Sequence, residues 1–248
     1  MNEIEIKECD TLELLESCVG LQREVFQLPE IEISPVRHFV VTKNAGGFTL
    51  GAFRDGELIG FALSVPAFLR GTPAFYSHMT AVKPSAQGTG IGAKLKWAQR
   101  AAAMERGIRA IKWTFEPWKA RNAFFNLEKL GAVVTEYQPN FYGVDYATAS
   151  TGGKKIGLAS DRLFAEWHLE SQKVSDLASG RTYLDDREPL RTISAPSDWS
   201  ALVNADVEAA LKEQGRLKEE FQAAFADGLR CERFLRDAED PRYLFFAM

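Results

Sequence analysis

The most constraining feature of this sequence is a glycine-rich turn, Gln87-Gly88-Thr89-Gly90-Ile91-Gly92, between a predicted strand and a predicted helix. The strand is 75–82, and the helix continues to about Arg106. Glycine lets a backbone approach a ligand closely, and the first N–H groups of a helix have no partners within that helix. Such a turn is typical of a phosphate site, with a plain strand-to-helix turn as the simpler alternative.

A second phosphate motif overlaps the first. Gly88-Thr89-Gly90-Ile91-Gly92-Ala93 has the G-x-G-x-x-A pattern of dinucleotide-binding domains, and Glu116 stands at the end of the next predicted strand. Against this interpretation, residues 83–87 separate the glycines from their strand, and hairpins surround the turn in place of repeated parallel βαβ units. A mononucleotide P-loop is excluded because the sequence has no Gly-Lys-Ser or Gly-Lys-Thr.

The elements around the turn predict a mixed α/β chain. Asp55-Gly56 between two apolar runs is a strong hairpin signal. In chain order the pattern predicts a strand at 4–7, a helix at 11–27, strands at 48–53, 58–65 and 75–82, a helix to 106, a strand at 109–116, a helix at 120–130, and strands at 132–137, 162–169 and 190–194. A long helix from 197 or 198, with Gly215 as a candidate break, and a hairpin of 229–235 with 242–248 follow. Residues 29–46 and 170–189 are expected to be loops.

Charge is distributed unevenly along the 248 residues, whose formal net charge is −4. Residues 1–33 hold nine acidic and two basic side chains, whereas residues 83–112 hold seven basic and one acidic. The basic stretch adjoins the glycine turn and favours a phosphorylated ligand, with two solvated faces of opposite sign as the simpler interpretation. The acidic balance of the whole chain argues against nucleic acid or an anionic membrane as a partner.

Three cysteines are too few and too scattered for a disulfide framework or a CxxC metal site, and three histidines without spaced acids predict no metal. The first ten residues lack the basic-then-apolar pattern of a signal peptide. No apolar run reaches the length of a membrane span. The expected location is therefore the cytoplasm.

Val82 at a strand end, followed by Gln87-x-x-Gly90-x-Gly92 at a helix start, resembles the acyl-CoA motif of the GNAT N-acetyltransferases. The predicted element order of residues 3–169 also resembles that fold, a mixed and mostly antiparallel sheet flanked by helices. Further segments resemble a mostly uncharacterised bacterial branch, some of whose members act beside N-acylamino-acid racemases: Ser77–Thr80, Trp113–Phe115, Arg121–Ala123, Lys129–Ala132 and Ser160–Arg162.

The resemblance implies a GNAT domain at residues 1–169 and a C-terminal α/β extension at 170–248. It implies acyl transfer from acetyl-CoA or a related acyl-CoA to the amine of a small molecule, an amino acid being one candidate, and a sheet splayed between strands 75–82 and 109–116. The extension could continue the sheet, close the acceptor pocket or form a homodimer contact, and packing on the same domain is the favoured arrangement. The implied CoA contacts are Thr80, Ala81, Val82, Gln87, Gly88, Thr89, Gly90, Ile91, Gly92, Asn122 and Asn126.

Transfer to an amine requires a group that accepts a proton, because a free alkylamine has a pKa of about 10.4. His78, on the strand that borders the cleft, and Glu116, at the end of the neighbouring strand, are the candidate bases. A water held by either residue is a third option. The family's usual acid is a tyrosine, and Leu127 stands at the matching position, where it cannot donate a proton.

Four further residues are candidates for the substrate site: Ser77, Trp113, Asp161 and Arg162. Arg162 could bind a carboxylate in a bidentate manner, with an internal Asp161–Arg162 pair as the alternative. Two other functions stay open. The missing tyrosine allows a catalytically silent acyl-CoA-binding module, and the G-x-G-x-x-A match allows a nucleotide-dependent oxidoreductase.

Overall fold

The chain forms two units, Met1–Lys112 and Trp113–Met248, in a computed structural model that describes residues 3–146 and 155–248. The first unit contains β1 (Glu5–Glu8), α1 (Leu12–Phe26), α2 (Val36–Asn44), β2 (Phe48–Arg54), β3 (Glu57–Leu69), β4 (Thr72–Val82), α3 (Ile91–Glu105) and the start of β5 (Ala110–Phe115). The second contains the end of β5, then α4 (Ala120–Phe124), β6 (Val133–Gln138), β7 (Arg162–His168), α5 (Gln172–Ala178), β8 (Arg191–Ser194), α6 (Trp199–Ala205), α7 (Val207–Ala226), β9 (Leu229–Leu235) and β10 (Arg242–Ala247).

Two tight hairpins build the sheet of the first unit. Asp55 and Gly56 join β2 to β3 with φ angles of 52° and 81°, and Arg70 and Gly71 join β3 to β4 with φ angles of 48° and 79°. Positive φ at both central residues is the type I′ geometry, whose twist suits antiparallel strands. The hairpin at Asp55-Gly56 is confirmed. Strands β3 and β4 extend beyond their predicted lengths to the second turn, which was not predicted.

Strands β1 to β4 are antiparallel neighbours in the order of the sequence, and β4 pairs in parallel with the start of β5. Helix α3 makes the crossover between β4 and β5. A Cβ on Gly60 of β3 would lie 3.0 Å from the Ala81 carbonyl oxygen and 3.2 Å from Leu95 Cδ1. Glycine at this position therefore lets α3 lie close against the sheet.

In the second unit the sheet continues from the end of β5 in the order β7, β6, β9, β10 and β8. Strand β9 pairs antiparallel with β6 through Cys231 and Val134, and β10 pairs antiparallel with both β9 and β8. Residues 170–248 thus extend the sheet of this unit, which was one of the expected arrangements. The domain boundary between residues 169 and 170 stays a prediction.

Two regions expected to be loops contain helices. In 29–46, Pro35 directly precedes α2, where a proline without an N–H is tolerated and does not break the helix. In 170–189, α5 begins where the Ser171 hydroxyl accepts the Val174 N–H. Both starts carry a local signal, a proline and a serine, that also occurs in turns.

Two predicted helices differ in their course. The long C-terminal helix is interrupted at Asp206, which ends α6 and caps α7 by accepting the Ala209 N–H, whereas Gly215 lies within α7. The helix at 120–130 is α4 followed by a π-helical turn at 125–129, in which the Leu130 N–H donates to the Phe125 carbonyl. One extra residue per turn rotates the side chains that follow it.

All three cysteines are buried and reduced: Cys9, Cys18 and Cys231. Hydrogen bonding to Cys9, and burial, raise the pKa of the Cys18 thiol, and burial raises that of Cys231. Across residues 3–146 and 155–248 no helix combines the length and the apolar character that crossing a bilayer requires.

Candidate active site

The glycine turn leads from β4 into α3 and leaves its backbone open. Gly88 and Gly90 have φ angles of 78° and 86°, in the left-handed region where other residues are strained. A Cβ at Gly88, Gly90 or Gly92 would meet no heavy atom within 4 Å. A ligand can therefore approach the backbone at all three positions. Gly92 does not have a positive φ, so backbone strain does not explain a glycine there. Access of a ligand to the backbone does explain it.

The N-terminus of α3 is available to an anion. No side chain caps Gly90, so the first-turn N–H groups keep their donor capacity, and the helix dipole adds positive potential there. Lys94 is exposed on this first turn and forms no ion pair with the described residues. This arrangement suits a pyrophosphate.

Two side chains of the turn hold its shape. The Thr89 hydroxyl donates to the Ala86 carbonyl at 2.7 Å, and Gln87 Nε2 donates to the Val82 carbonyl at 3.1 Å. Both bonds connect a side chain of the turn to a backbone carbonyl that precedes it in the chain. Gln87 and Thr89 therefore support the turn, while its backbone remains the surface offered to a ligand.

The basic stretch at 83–112 is less positive toward solvent than its composition indicates. Lys83 pairs with Glu57, and Arg106 Nη2 lies 2.8 Å from Glu8 Oε2. Lys96 is buried. These three residues therefore add little free positive charge at the turn, and Lys94 is the basic residue that the fold leaves there.

A polar network is buried between α3 and the sheet. Lys96 Nζ donates to Ser77 Oγ at 2.8 Å and to Gln99 Oε1 at 3.1 Å, and Gln99 Nε2 donates to Ser64 Oγ at 2.8 Å. Removal from water lowers the pKa of Lys96 to about 7. Ser77 therefore faces α3, and its position gives no support to the expected substrate role.

His78 is the extra residue of a β-bulge in β4. Leu63 of β3 pairs with Met79 and Ser64 pairs with Ser77, so His78 has no partner across the strands. A bulge redirects a side chain out of the normal alternation of a strand. His78 is exposed as a residue, and its ring Nε2 lies 3.4 Å from Ser34 Oγ.

His38 of α2 lies against His78. The ring centroids are 5.3 Å apart and the rings are nearly perpendicular. Desolvation by the surrounding protein, and secondarily His38, lower the pKa of His78 to about 4, so its imidazole is neutral at pH 7. His38 Nε2 is buried without a hydrogen-bond partner among the described residues.

The end of β4 has a free edge within the first unit. Strand β5 pairs with β4 there only at Ile111 with Phe75 and at Lys112 with Tyr76, whereas β3 pairs as far as Val82. Between Ser77 and Val82 the edge of β4 that faces away from β3 carries no strand of this unit. In the segment Thr80–Val82, where the resemblance implies a CoA contact, no strand of this unit pairs with the backbone on that edge, and the Val82 carbonyl accepts Gln87 Nε2.

In the second unit the predicted site residues have separate environments. Glu116 follows β5, and its half-buried carboxylate forms no hydrogen bond or ion pair with the described residues. The Trp113 indole N–H donates to Asn126 Oδ1 at 3.3 Å, and both side chains are buried, whereas Asn122 is exposed. Asn126 lies in the π-helical turn at 125–129, whereas Asn122 lies in α4 before it. Leu127 is fully buried.

Asp161 and Arg162 do not form the ion pair expected as an alternative. The Asp161 carboxylate accepts the Tyr137 hydroxyl at 2.5 Å and the Asn140 N–H at 2.7 Å. Arg162 Nη1 donates to the backbone carbonyl of Asp161 at 3.0 Å. Asp161 is thus a structural acceptor, and the Arg162 guanidinium is left without a carboxylate in the described part of the chain.

Residues 12–132 match the family model described as the Acetyltransferase (GNAT) family, which spans the glycine turn, β4 and α3. This part of the chain belongs to the GNAT acetyltransferase family. The expected fold class is confirmed, and GNAT topology accounts for the parallel pairing of β4 with the start of β5 in the first unit. The repeated parallel units of a dinucleotide-binding domain are not present in the first unit.

Solved structures show the same GNAT fold. The ribosomal-protein-S18-alanine N-acetyltransferase of Escherichia coli is 15% identical, covers 68% of this chain and 97% of its own, and has a TM-score of 0.51. The yncA protein of Salmonella typhimurium, crystallised with its cofactor acetyl-CoA, is 16% identical over 75% and 99%, with a TM-score of 0.53. A GNAT acetyltransferase of Elizabethkingia anophelis with acetyl-CoA bound is 16% identical over 68% and 100%, with a TM-score of 0.50. No curated protein sequence matches the chain.

Three residues of this region were not identified from the sequence as part of a site. They are His38, Lys94 and Lys96. A histidine on a predicted loop gave no signal of its partner, because contact with His78 depends on the tertiary fold. No cluster of three or more His, Cys, Asp or Glu that could hold a metal occurs in the described ranges.

Proposed function

We propose that this chain is an acyl-CoA N-acyltransferase that moves the acetyl group of acetyl-CoA to the amine of a small molecule. The observation that carries the proposal is the open backbone of Gly88–Gly92 at the uncapped start of α3, in a chain of the GNAT family. Two structures of the same fold contain acetyl-CoA, which makes it the first donor to test. A location in the cytoplasm, the formation of a homodimer and an association with N-acylamino-acid racemases remain predictions.

The backbone of Gly88–Gly92 suits a diphosphate because the space beside each of the three glycines is open, and a larger side chain there would occupy it. The first-turn N–H groups of α3 bind the phosphate oxygens, and Lys94 offsets their charge. When bound, acetyl-CoA supplies a thioester whose acyl carbon can be attacked by an amine. The new C–N bond replaces the C–S bond, the nitrogen loses a proton, and the sulfur leaves with CoA.

His78 is the residue we assign to the acceptor amine. With its pKa lowered to about 4, it is neutral at pH 7 and presents a lone pair that can accept a hydrogen bond from that amine. A base this weak orients the neutral amine by accepting a hydrogen bond from its N–H, and the proton that the nitrogen loses goes to water. Glu116, whose carboxylate is unpaired in the second unit, is the other candidate for proton removal.

No tyrosine is available at the position of the usual acid, because Leu127 is fully buried there. The leaving thiol has a pKa near that of cysteine, about 8.5, so it can depart as a thiolate without a dedicated acid. We expect the reaction to proceed with water as the final proton donor and acceptor.

The test is release of free thiol from acetyl-CoA or succinyl-CoA in the presence of a pool of amines and amino acids. His78→Ala should lower kcat by about 100-fold, because the acceptor amine loses the group that positions it, with less than about a twofold change in CoA affinity. His168→Ala is the matched control, because His168 is exposed and pairs with Glu166 at 3.3 Å outside the proposed machinery. An unchanged kcat in His78→Ala would remove His78 from the mechanism.

A second candidate function is an acyl-CoA-binding module without turnover. The buried Leu127 at the acid position is the observation that favours it. Thermal stabilisation by CoA, with no thiol release against any acceptor of the pool, would support the module. Stabilisation by NADPH alone would instead support the dinucleotide alternative.

A further inference from the structure

We infer that Arg162, together with Tyr142 and Tyr146, binds the carboxylate of a small molecule that also carries an apolar or aromatic body. The three residues belong to the second unit. The binding itself is independent of catalysis, whereas the identification of that molecule as the acceptor rests on the proposed function.

Arg162 is a buried cation without a counter-charge. Its side chain is 7% exposed, and its one hydrogen bond in the described part of the chain goes to a backbone carbonyl. Residues 147–154, outside the described ranges, contain no Asp or Glu. A guanidinium has five N–H donors, and a charge removed from water is costly unless an opposite charge meets it. An anionic ligand would therefore supply the counter-charge that the Arg162 guanidinium lacks.

The acidic neighbours of Arg162 are already engaged elsewhere. Asp161 is held by Tyr137 and Asn140, as described above. The Asp145 carboxylate accepts the N–H groups of Ile156 and Gly157 at 2.8 and 2.7 Å. Both carboxylates are thus fixed in the backbone turns around Arg162 and are not directed at its guanidinium.

The rings of two tyrosines lie beside the guanidinium. Arg162 Cζ lies 5.1 Å from the centroid of the Tyr142 ring and 5.9 Å from that of Tyr146, and the two rings are stacked at 4.7 Å. Cation–π contact uses the plane of a guanidinium and leaves its N–H edge free. That edge is the part that pairs with a carboxylate through two parallel hydrogen bonds.

An exposed aromatic surface adjoins this group. Phe141 packs edge-on against Tyr142 and against Phe164, and Phe141 and Tyr142 are 40% and 42% exposed. Sites for small molecules combine apolar walls with a few polar groups that fix orientation. A ligand with a carboxylate on Arg162 and an apolar body on Phe141 satisfies both parts of the surface.

The binding test uses phenylacetate and its neutral analogue phenylacetamide, titrated into the full-length protein without CoA and followed by NMR. Phenylacetate should bind at least about tenfold more tightly than phenylacetamide, and Arg162→Gln should abolish the difference. Arg162→Lys, which keeps the charge but not the planar fork, should retain only part of it. Arg236→Gln is the matched control, since Arg236 is an exposed arginine 5.4 Å from the Phe124 ring.

Equal binding of the two probes, no binding of phenylacetate at millimolar concentration, or full discrimination in a folded Arg162→Gln protein would each overturn the inference. If circular dichroism shows that Arg162→Gln is unfolded, the test uses two other measurements. These are the binding of phenylacetate and phenylacetamide to the wild type and to Arg162→Lys.

The kinetic test compares L-phenylalanine with L-phenylalaninamide as acceptors of acetyl-CoA. Arg162→Gln should raise the KM for the amino acid at least about tenfold and leave the amide unchanged. Turnover of both acceptors with no effect of Arg162 would overturn the acceptor site and keep the proposed function. Arg162-dependent binding of phenylacetate without any turnover would overturn the proposed function and keep the anion site.

Discussion

At the scale of single residues, Gly90 and Gly92 are glycine for different physical reasons. Gly90 has a φ of 86°, so Gly90→Ala should cost about 1–2 kcal/mol of folding stability and also weaken CoA binding. Gly92 lies in the first turn of α3 with open space at its Cβ, so Gly92→Ala should be as stable as the wild type or slightly more stable. The added methyl group should nevertheless lower CoA affinity about tenfold.

Urea unfolding and calorimetric titration of CoA measure the two effects separately. Gly107→Ala provides the control, because Gly107 also has a positive φ, 75°, but follows the other end of α3. It should lose stability and keep its affinity for CoA. Unchanged CoA binding in Gly92→Ala would contradict the assignment of this backbone to the cofactor.

The buried Lys96 predicts a pH dependence of stability. Its pKa is about 7 in the folded protein and 10.5 in the unfolded chain, so the unfolded chain binds more protons between these values. The free energy of unfolding should therefore rise with pH from 7 toward 10.5, by up to about 1.4 kcal/mol per pH unit from this group. Urea denaturation at pH 7, 8 and 9 should show this slope in the wild type and a smaller slope in Lys96→Met. Equal slopes would show that Lys96 keeps its proton when buried.

At the scale of elements, the break between α6 and α7 depends on a cap and not on a glycine. Asp206→Ala removes the side chain that accepts the Ala209 N–H and should destabilise the protein by about 1 kcal/mol. Gly215→Ala should have the opposite sign and stabilise it by about 0.5–1 kcal/mol, because Gly215 lies inside α7 with no atom within 4 Å of a new Cβ. Thermal unfolding of both variants measures the pair. A loss of stability in Gly215→Ala would show a helix strained at that position.

The elements that could be predicted from the sequence are those with local signals. Asp55-Gly56 specifies a type I′ turn, and the glycine turn before α3 is defined by backbone conformations that only glycine adopts easily. The buried face of α3 includes Lys96 and Gln99, two polar residues that a pattern of apolar side chains does not mark. They are buried through hydrogen bonds to serines of the sheet, which no periodicity in one helix can reveal.

Site residues were predictable to the extent that one segment defines them. The backbone of 88–92 needed only its own sequence, whereas the contact of His38 with His78 joins a helix to a strand 40 residues apart. The β-bulge that exposes His78 is likewise a property of the pairing of β3 with β4, and not of β4 alone. Such features depend on tertiary packing.

At the scale of the whole molecule, the C-terminal residues complete the second unit. Trp118 stacks on Trp199 at 4.7 Å, Tyr137 packs on Phe221 at 5.7 Å, and the Tyr243 hydroxyl donates to the Pro117 carbonyl at 2.7 Å. A chain that ends at residue 169 should expose these aromatic surfaces and the edge of β6, and should aggregate.

Soluble yield and near-ultraviolet circular dichroism measure the effect of this truncation. Removal of Met248 alone, which is 65% exposed, is the control and should change neither quantity. A soluble fragment 1–169 with a native tryptophan signal would instead show that the predicted boundary separates two independently folding parts.

The depth at which Cys9, Cys18 and Cys231 lie determines how this protein behaves toward chromogenic thiol reagents. Such reagents attack thiolates, and a thiol buried inside a folded core is out of their reach until the chain opens. In an assay that follows CoA release by colour, the native enzyme therefore contributes little background. A slow increase of colour without acceptor then reports global opening of the fold. One assay therefore measures both the rate of CoA release and the rate at which the protein unfolds.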